Sequence, residues 1–431
     1  MLNFRFTAGW LLLVLCSALA GSGLAADARK QAPLRWWKGN LHTHTLWSDG
    51  DDYPEMVVRW YQQHDYQFLA LSDHNVLLQG VSWIAVTNHP HGEIALAKYI
   101  EAFGEDWVQT SFVDDTQLVR LKTLAEFRPR FEEPGRFLLI PSEEITSRHR
   151  LLPIHINVTN PRELVRPQTG SNVSEIIQKT MDAVQAQQKR TGQPMFPHLN
   201  HPNFGWGITA EDMMAVRGEK FFEVYNGHPT VHNEGDAHHV STDRMWDILL
   251  TFRLTTLRLG PVYGLGVDDC HHYHTQYRSN SIPGRGWIWV RSATLKTESL
   301  IAAMEAGDFY ASSGVRLKDV KRDSTQLALE IDTEPEVSYV TKFIGTRTGF
   351  DLTSTPGPRP TNSVFAVTRR YSSDIGTVLA TVPGNSPSYK FKGDEIYVRA
   401  QVISSKAKVP MITAPEMEAA WVQPVVLFPK R

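Results

Sequence analysis

Seventeen histidines and only two cysteines stand in this chain of 431 residues. Metal chemistry here would run on imidazole and carboxylate, not on thiolate. His-x-His pairs occur at His42/His44, His89/His91 and His272/His274. At this histidine content roughly one such pair arises by chance, so position must separate them. His42 and His44 directly follow an extended apolar run, and alternate residues of extended chain point the same way. Asp49 follows at once, in Ser48-Asp49-Gly50. Asp73-His74 follows Leu69 to Ser72, and Glu143-Glu144 follows Leu138 to Pro141. His155 lies within Ile154-His155-Ile156. His198 and His201 follow Met195 to Pro197, and Asp268-Asp269-Cys270-His271 follows Gly264 to Val267. So many buried imidazoles and carboxylates would repel each other or lose hydration without return. A divalent cation supplies the compensation. Zn²⁺, Mn²⁺ or Fe²⁺ suits these donors, and three or more donor sets suggest a multinuclear centre.

The elements that must position these groups are legible as alternation. Short apolar runs and amphipathic stretches follow one another from about residue 36 to 315. Strands are expected at the runs above and at Phe221 to Tyr225, with helices over Pro54 to His64, Val173 to Lys189 and Leu295 to Ala306. That is an α/β pattern of parallel βα units, as an open sheet or a barrel. In such folds the C-terminal ends of the strands collect groups distant in sequence. Residues 79–134 exceed a simple crossover and are expected to form a mostly helical insertion. From about residue 320, β-branched runs between turn residues predict a small all-β domain over 320–431.

Residues 1–26 fit a signal peptide, with Arg5 before an apolar run from Trp10 to Ala20 and small residues after it. The run is too short for a comfortable membrane span. Its removal would take Cys16 and leave Cys270 alone. The expected location is periplasmic or extracellular. The net charge of −2 argues against a dedicated nucleic-acid binder, which needs a basic surplus.

The chain resembles the polymerase and histidinol phosphatase (PHP) superfamily of metal-dependent phosphoesterases. The resemblance rests on Gly39-Asn40-Leu41-His42-Thr43-His44-Thr45 with Ser48-Asp49-Gly50, on Leu71-Ser72-Asp73-His74-Asn75, and on Pro141-Ser142-Glu143-Glu144-Ile145-Thr146. Asn200-His201-Pro202-Asn203 and Gly266-Val267-Asp268-Asp269-Cys270-His271 complete it. Arg285-Gly286-Trp287, Phe309-Tyr310-Ala311-Ser312-Ser313-Gly314 and Tyr397-Val398-Arg399-Ala400 are similar to an exported branch that includes carbaryl-hydrolase-like enzymes. The resemblance implies a distorted seven-stranded (β/α) barrel over residues 36–318, with three divalent metals (Zn, or Mn/Fe). By the same resemblance His42, His44, Glu144 and Asp269 would hold the first metal. Glu144, His155 and His201 would hold the second, and Asp49, His74 and His271 the third. Glu143 competes with Glu144 and Asp268 with Asp269; the family pattern favours Glu144 and Asp269. Asp73 is expected to orient an imidazole, and Cys270 to point into the wall.

The implied reaction is attack by metal-bound hydroxide on a small-molecule phosphate ester. His228, His198 and Arg148, the last within Arg148-His149-Arg150, are the candidates for proton delivery and for holding a second anionic group. The same centre could instead cleave a carboxylic ester, carbamate or amide. A non-catalytic metal-binding module is the third alternative. Trp47, Trp83, Trp107 and Trp206 could line an aromatic pocket, although packing is the favoured role. His238-His239 and His272/His274 receive no assignment.

Overall fold

A computed structural model describes residues 33–427, apart from 276, 278, 360–364, 366 and 409–415. The expected signal peptide, with Arg5 and Cys16, lies outside the described residues. The first strand β1 (Arg35–Asn40) is followed by helix α1 (Pro54–Gln63) and strand β2 (Phe68–Leu71). Next come β3 (Ser82–Ala85), α2 (Gly92–Phe103), β4 (Thr110–Val113), β5 (Thr116–Leu121) and α3 (Leu124–Phe131). The middle of the chain holds β6 (Leu138–His149), β7 (Leu152–Thr159), α4 (Val173–Thr191) and β8 (Phe196–Leu199). It continues with α5 (Ala210–Met214), β9 (Phe221–Asn226), α6 (Thr242–Leu254) and β10 (Tyr263–Val267). Strand β11 (Trp287–Ser292), helix α7 (Thr297–Glu305) and strand β12 (Phe309–Ser312) follow. The remainder is β13 (Leu317–Arg322), β14 (Gln326–Ile331), β15 (Tyr339–Arg347), β16 (Ser354–Thr355) and β17 (Arg370–Tyr371). Strands β18 (Thr377–Pro383), β19 (Ser388–Lys390), β20 (Glu395–Ala407) and β21 (Met417–Val426) complete it.

Local chemistry sets the helix limits. Pro54 fills the first turn of α1, where a missing N–H costs nothing. The Asn172 side chain caps α4 by accepting from the Glu175 N–H, and Gly192 ends it in the left-handed conformation, φ 68°. Thr123 and Glu126 form a reciprocal capping box on α3.

The main sheet has thirteen strands in the order β10-β9-β8-β7-β6-β2-β1-β11-β12-β21-β20-β15-β18. Its first seven strands carry the candidate residues. The expected parallel ring is not what forms. Strands β1, β2 and β6 are parallel, and so are β8, β9 and β10, but β7 runs antiparallel to both neighbours. A turn of two residues, Arg150-Leu151, joins β6 to β7, with Arg150 left-handed at φ 57°. A connection that short permits only a hairpin. Nor is the ladder closed, because β1 pairs on its other edge with β11. Beyond the strand ends one parallel bridge, Thr43 to Cys270, brings the continuations of β1 and β10 together. The His44 N–H donates to the Cys270 carbonyl at 3.0 Å, and the Asp269 N–H to the His42 carbonyl at 3.0 Å.

One buried cluster draws Phe68, Ile140, Phe196, Phe221 and Leu265 from five of these strands. Residues 79–134 hold two helices and also the sheet β3-β5-β4. The β4–β5 turn places Asp114 and Asp115 at φ 45° and 60°, a hairpin geometry that short polar residues tolerate. The C-terminal strands β21, β20, β15 and β18 extend the main sheet, and β13, β14 and β19 form a second one. Among the described residues no helix is long and apolar enough to cross a membrane.

Candidate metal centre

The chain leaving β1 delivers His42 and His44 one after the other on one side. His42 Nε2 lies 3.2 Å from Glu144 Oε2 and 3.2 Å from Asp269 Oδ1. His44 Nε2 lies 3.1 Å and 3.3 Å from the same two oxygens. On the other side of Glu144, His155 Nδ1 is 2.9 Å and His201 Nε2 3.5 Å from Oε1. His201 Nε2 also stands 3.8 Å from Asp269 Oδ2. The outer edge belongs to Asp49, whose carboxylate is 3.4 Å from His44 Nδ1, 3.4 Å from His271 Nε2 and 3.5 Å from His74 Nε2. All nine side chains named as ligands thus come together in overlapping groups of donor atoms suited to a cation.

Turn chemistry makes this possible. The turn 45–50 packs on His44 so closely that a Cβ on Gly50 would stand 2.6 Å from its backbone. Asp73 fastens the same turn, accepting from the Thr45 N–H at 2.8 Å, Thr45 Oγ1 at 2.9 Å and Ser48 Oγ at 2.7 Å. It therefore orients the turn that carries Asp49 rather than an imidazole. Asp269 is left-handed at φ 51°, a conformation aspartate adopts more readily than most residues. Glu143 and Asp268 turn the other way. Glu143 accepts the Val165 N–H at 2.7 Å, and Asp268 accepts Tyr61 Oη at 2.8 Å and the Gly286 N–H at 2.7 Å. Cys270 is buried against the Ser281 carbonyl at 3.3 Å, and burial pushes its thiol pKa well up.

Electrostatics describe a site short of positive charge. Burial disfavours charge on both sides of it. Against burial, His42, His74 and His155 hold Glu144 well below the usual carboxylate range. His42 and His44 do the same for Asp269. Asp269, Glu223 and Glu144 in turn raise His42 despite its burial. His44 rises to about 10 against its burial, through Asp269 and Glu144. His42 and His44 are thus drawn toward the role a cation would fill, whereas burial lowers His155 and His271. One observation tests the fit. His44 Nε2 is buried and makes no hydrogen bond, although two carboxylate oxygens lie within 3.3 Å. That is convergence on a common point rather than pairwise hydrogen bonding.

A second ring of side chains holds the first. Glu223 Oε1 lies 2.7 Å from His42 Nδ1 and 3.3 Å from His198 Nε2. Its Oε2 accepts the His201 N–H and Asn226 Nδ2, both at 2.8 Å. Asn226 Nδ2 also reaches Asp269 Oδ2 at 3.0 Å, and Asn200 Nδ2 reaches Glu144 Oε1 at 2.8 Å. Sequence reasoning missed Glu223, Asn200 and Asn226. The available signal was one carboxylate inside the otherwise uncharged strand Phe221–Asn226.

The three catalytic candidates have different fates. His228 stands at the cluster, its ring 5.3 Å from that of His271. His198 is fully buried behind Glu223, so it does not face a substrate. Arg148 is exposed near the tip of the β6–β7 hairpin. Trp47 and Trp107 pack in the insertion, donating to the Lys122 carbonyl at 3.1 Å and to Glu55 Oε1 at 2.9 Å. Trp206 is stacked on His232 at 4.6 Å and on His239 at 3.9 Å.

No family model matches the chain, and no curated protein does. Among solved structures it is similar to a two-domain protein from Bacteroides vulgatus ATCC 8482 described as containing a predicted PHP-like metal-dependent phosphoesterase. That similarity has 13% identity and a TM-score of 0.38, covering 90% of this chain and 95% of the other. A candidate metal-dependent phosphoesterase from Bifidobacterium adolescentis ATCC 15703 shows 13% identity and a TM-score of 0.26, covering 54% of this chain and 87% of the other. At such scores neither likeness bears on function, which has to be argued from the site.

Proposed function

We propose that the chain is a PHP-type metal-dependent hydrolase of small-molecule phosphate esters. The observation that carries this reading is the convergence of six imidazoles and three carboxylates on shared points, with Glu144 central. His42, His44, Glu144 and Asp269 would hold one cation, Glu144, His155 and His201 a second, and Asp49, His74 and His271 a third. Divalent cations held there would supply Lewis acidity and a hydroxide nucleophile near neutral pH.

The chain's own residues do the rest. Glu223, Asn200 and Asn226 hold the ligands in place before substrate arrives. His228 Nδ1 accepts from the Thr230 N–H at 3.3 Å, with Thr230 Oγ1 2.9 Å away, which leaves Nε2 to exchange a proton with a leaving oxygen. Arg148 makes no ion pair among the described residues and is exposed two positions beyond Thr146, whose hydroxyl meets His74. It is suited to hold a second anionic group of the substrate. His198 acts through Glu223, not on the substrate. Export through residues 1–26 belongs to the same proposal, and N-terminal sequencing of the secreted protein tests it.

The deciding experiment couples metal analysis of purified protein to hydrolysis of an aryl phosphate, a phosphodiester, a carboxylic ester and a carbamate. Metal-dependent turnover of the phosphate esters is expected. Turnover confined to the carbon esters would replace the substrate class. Bound metal with no turnover in any class would make the chain a metal-binding module.

A further inference from the structure

A cleft of about 580 Å³ lies between α6 and the strands β15, β20 and β21, apart from the metal ligands. Its described walls carry four basic side chains, Arg244, Lys342, Arg399 and Lys408. They carry four acidic ones as well, Glu234, Asp243, Asp247 and Glu416. Most of these groups are pinned. Asp247 clasps Arg399 through Nε and Nη2, both at 2.8 Å, and Asp243 lies 2.9 Å from Nη1. Glu416 accepts Lys408 Nζ at 2.7 Å, Arg285 Nη2 at 2.8 Å and Tyr225 Oη at 2.8 Å. Arg244 donates to the carbonyls of Ile375 and Ser372. The Glu234 and Lys342 side chains make no hydrogen bond among the described residues, and both line the cleft.

This chemistry excludes most ligands. An anion would meet four carboxylates and would have to take Lys408 and Arg285 from Glu416. A cation would meet the reverse obstacle. An apolar molecule would strip water from the accessible charged groups, Glu234, Asp243, Arg244, Lys342 and Glu416, and return no hydrogen bonds. A hydroxyl both donates and accepts, so it can join a carboxylate to a neighbouring cation without disturbing the charge balance. Trp421, stacked on Tyr225 at 5.2 Å, adds an aromatic wall for C–H surface. The volume is in the range of sites that enclose small organic molecules.

We propose that this cleft binds an uncharged polyhydroxylated ligand of disaccharide size. A neighbouring cavity of about 110 Å³ shares Tyr225, Glu234 and Glu416 with it and is lined by His228. The bound molecule would therefore sit beside the mouth of the metal centre. The site does not depend on the hydrolase reading, because binding is measured without turnover.

Titration calorimetry of the full chain, with and without added metal, tests the proposal against maltose, cellobiose, lactose, trehalose and sucrose. Glucose 6-phosphate and glucosamine serve as charged comparators. At least one neutral disaccharide is expected to saturate with a Kd below about 5 mM. The Glu234→Ala/Lys342→Ala double variant is expected to raise that Kd at least about tenfold while keeping its thermal melt and metal content. Gln401→Ala, at another residue lining the cleft, provides the same comparison if the double variant does not fold. No binding by any neutral disaccharide overturns the proposal. Tighter binding of a charged comparator, or wild-type affinity in the folded variants, overturns it equally.

Discussion

Glu223 reaches four partners of the metal centre with two oxygens: His42, His198, the His201 backbone and Asn226. A carboxylate behind a ligand imidazole fixes its ring orientation and raises its basicity. Glu223→Gln is therefore expected to weaken metal binding about 10- to 100-fold, with little change in turnover once metal is saturating. Competition with a chromophoric chelator measures the first effect, and kcat at high metal the second. Glu219 is a different buried carboxylate. Neither oxygen has a partner, and burial pushes its pKa up to about 7 against the opposing charge of Arg253. Its stabilising contribution is full below its unfolded pKa and is lost as pH rises through about 7. Glu219→Gln should therefore gain in Tm over the parent between about pH 5 and pH 9, as read by thermal melts. The nine residues that come together were named in the sequence from their places after or within apolar runs, with the family resemblance choosing Glu144 over Glu143 and Asp269 over Asp268. Glu223 was not. A lone charge between Phe222 and Val224 carries no pattern of its own, and only the neighbouring strands show that it faces inward.

At the scale of elements, the joint between α6 and β20 stands out. Asp247 on α6 takes Arg399 from β20 in two hydrogen bonds and accepts Tyr397 Oη at 2.8 Å. Arg399 is buried, so removing Asp247 takes away the carboxylate that clasps it and leaves Asp243 alone against the guanidinium. Asp247→Ala is expected to cost about 3–5 kcal/mol in urea unfolding. Helices α1, α4 and α7 were legible from periodicity and terminal residues, but α6 was not, because it is buried on nearly every side and shows no polar face. The β6–β7 hairpin was not, because Pro141 interrupts the apolar run and Arg148-His149-Arg150 has the composition of a loop. The β4–β5 hairpin was hidden for a related reason. Its turn is Asp114-Asp115, without the glycine that usually marks such a turn.

For the whole molecule, the candidate metal centre ties six stretches of chain to one place. Ions that bind only the folded state add stability of RT ln(1 + [L]/Kd), about 4 kcal/mol at a thousandfold excess over Kd. Chelation is therefore expected to lower the Tm, and restored metal to recover it. His44→Ala should show a smaller response to both, measured by calorimetry. The α/β class and the β-rich C-terminal part were legible from local pattern. The way they join was not, since β12 pairs with β21 through Tyr310 and Val422, far apart in the chain.

That pairing has a consequence in time. Strand β21 enters the main sheet between β12 and β20, so the sheet cannot be completed in the order in which it is made. A ribosome adding about 5–20 residues per second needs several seconds to pass from β12 to β21. Throughout that interval the metal-binding half presents β12 as a bare strand edge, open to pairing with other chains. The last described strand is thus also the one that ends the vulnerable period of the nascent protein.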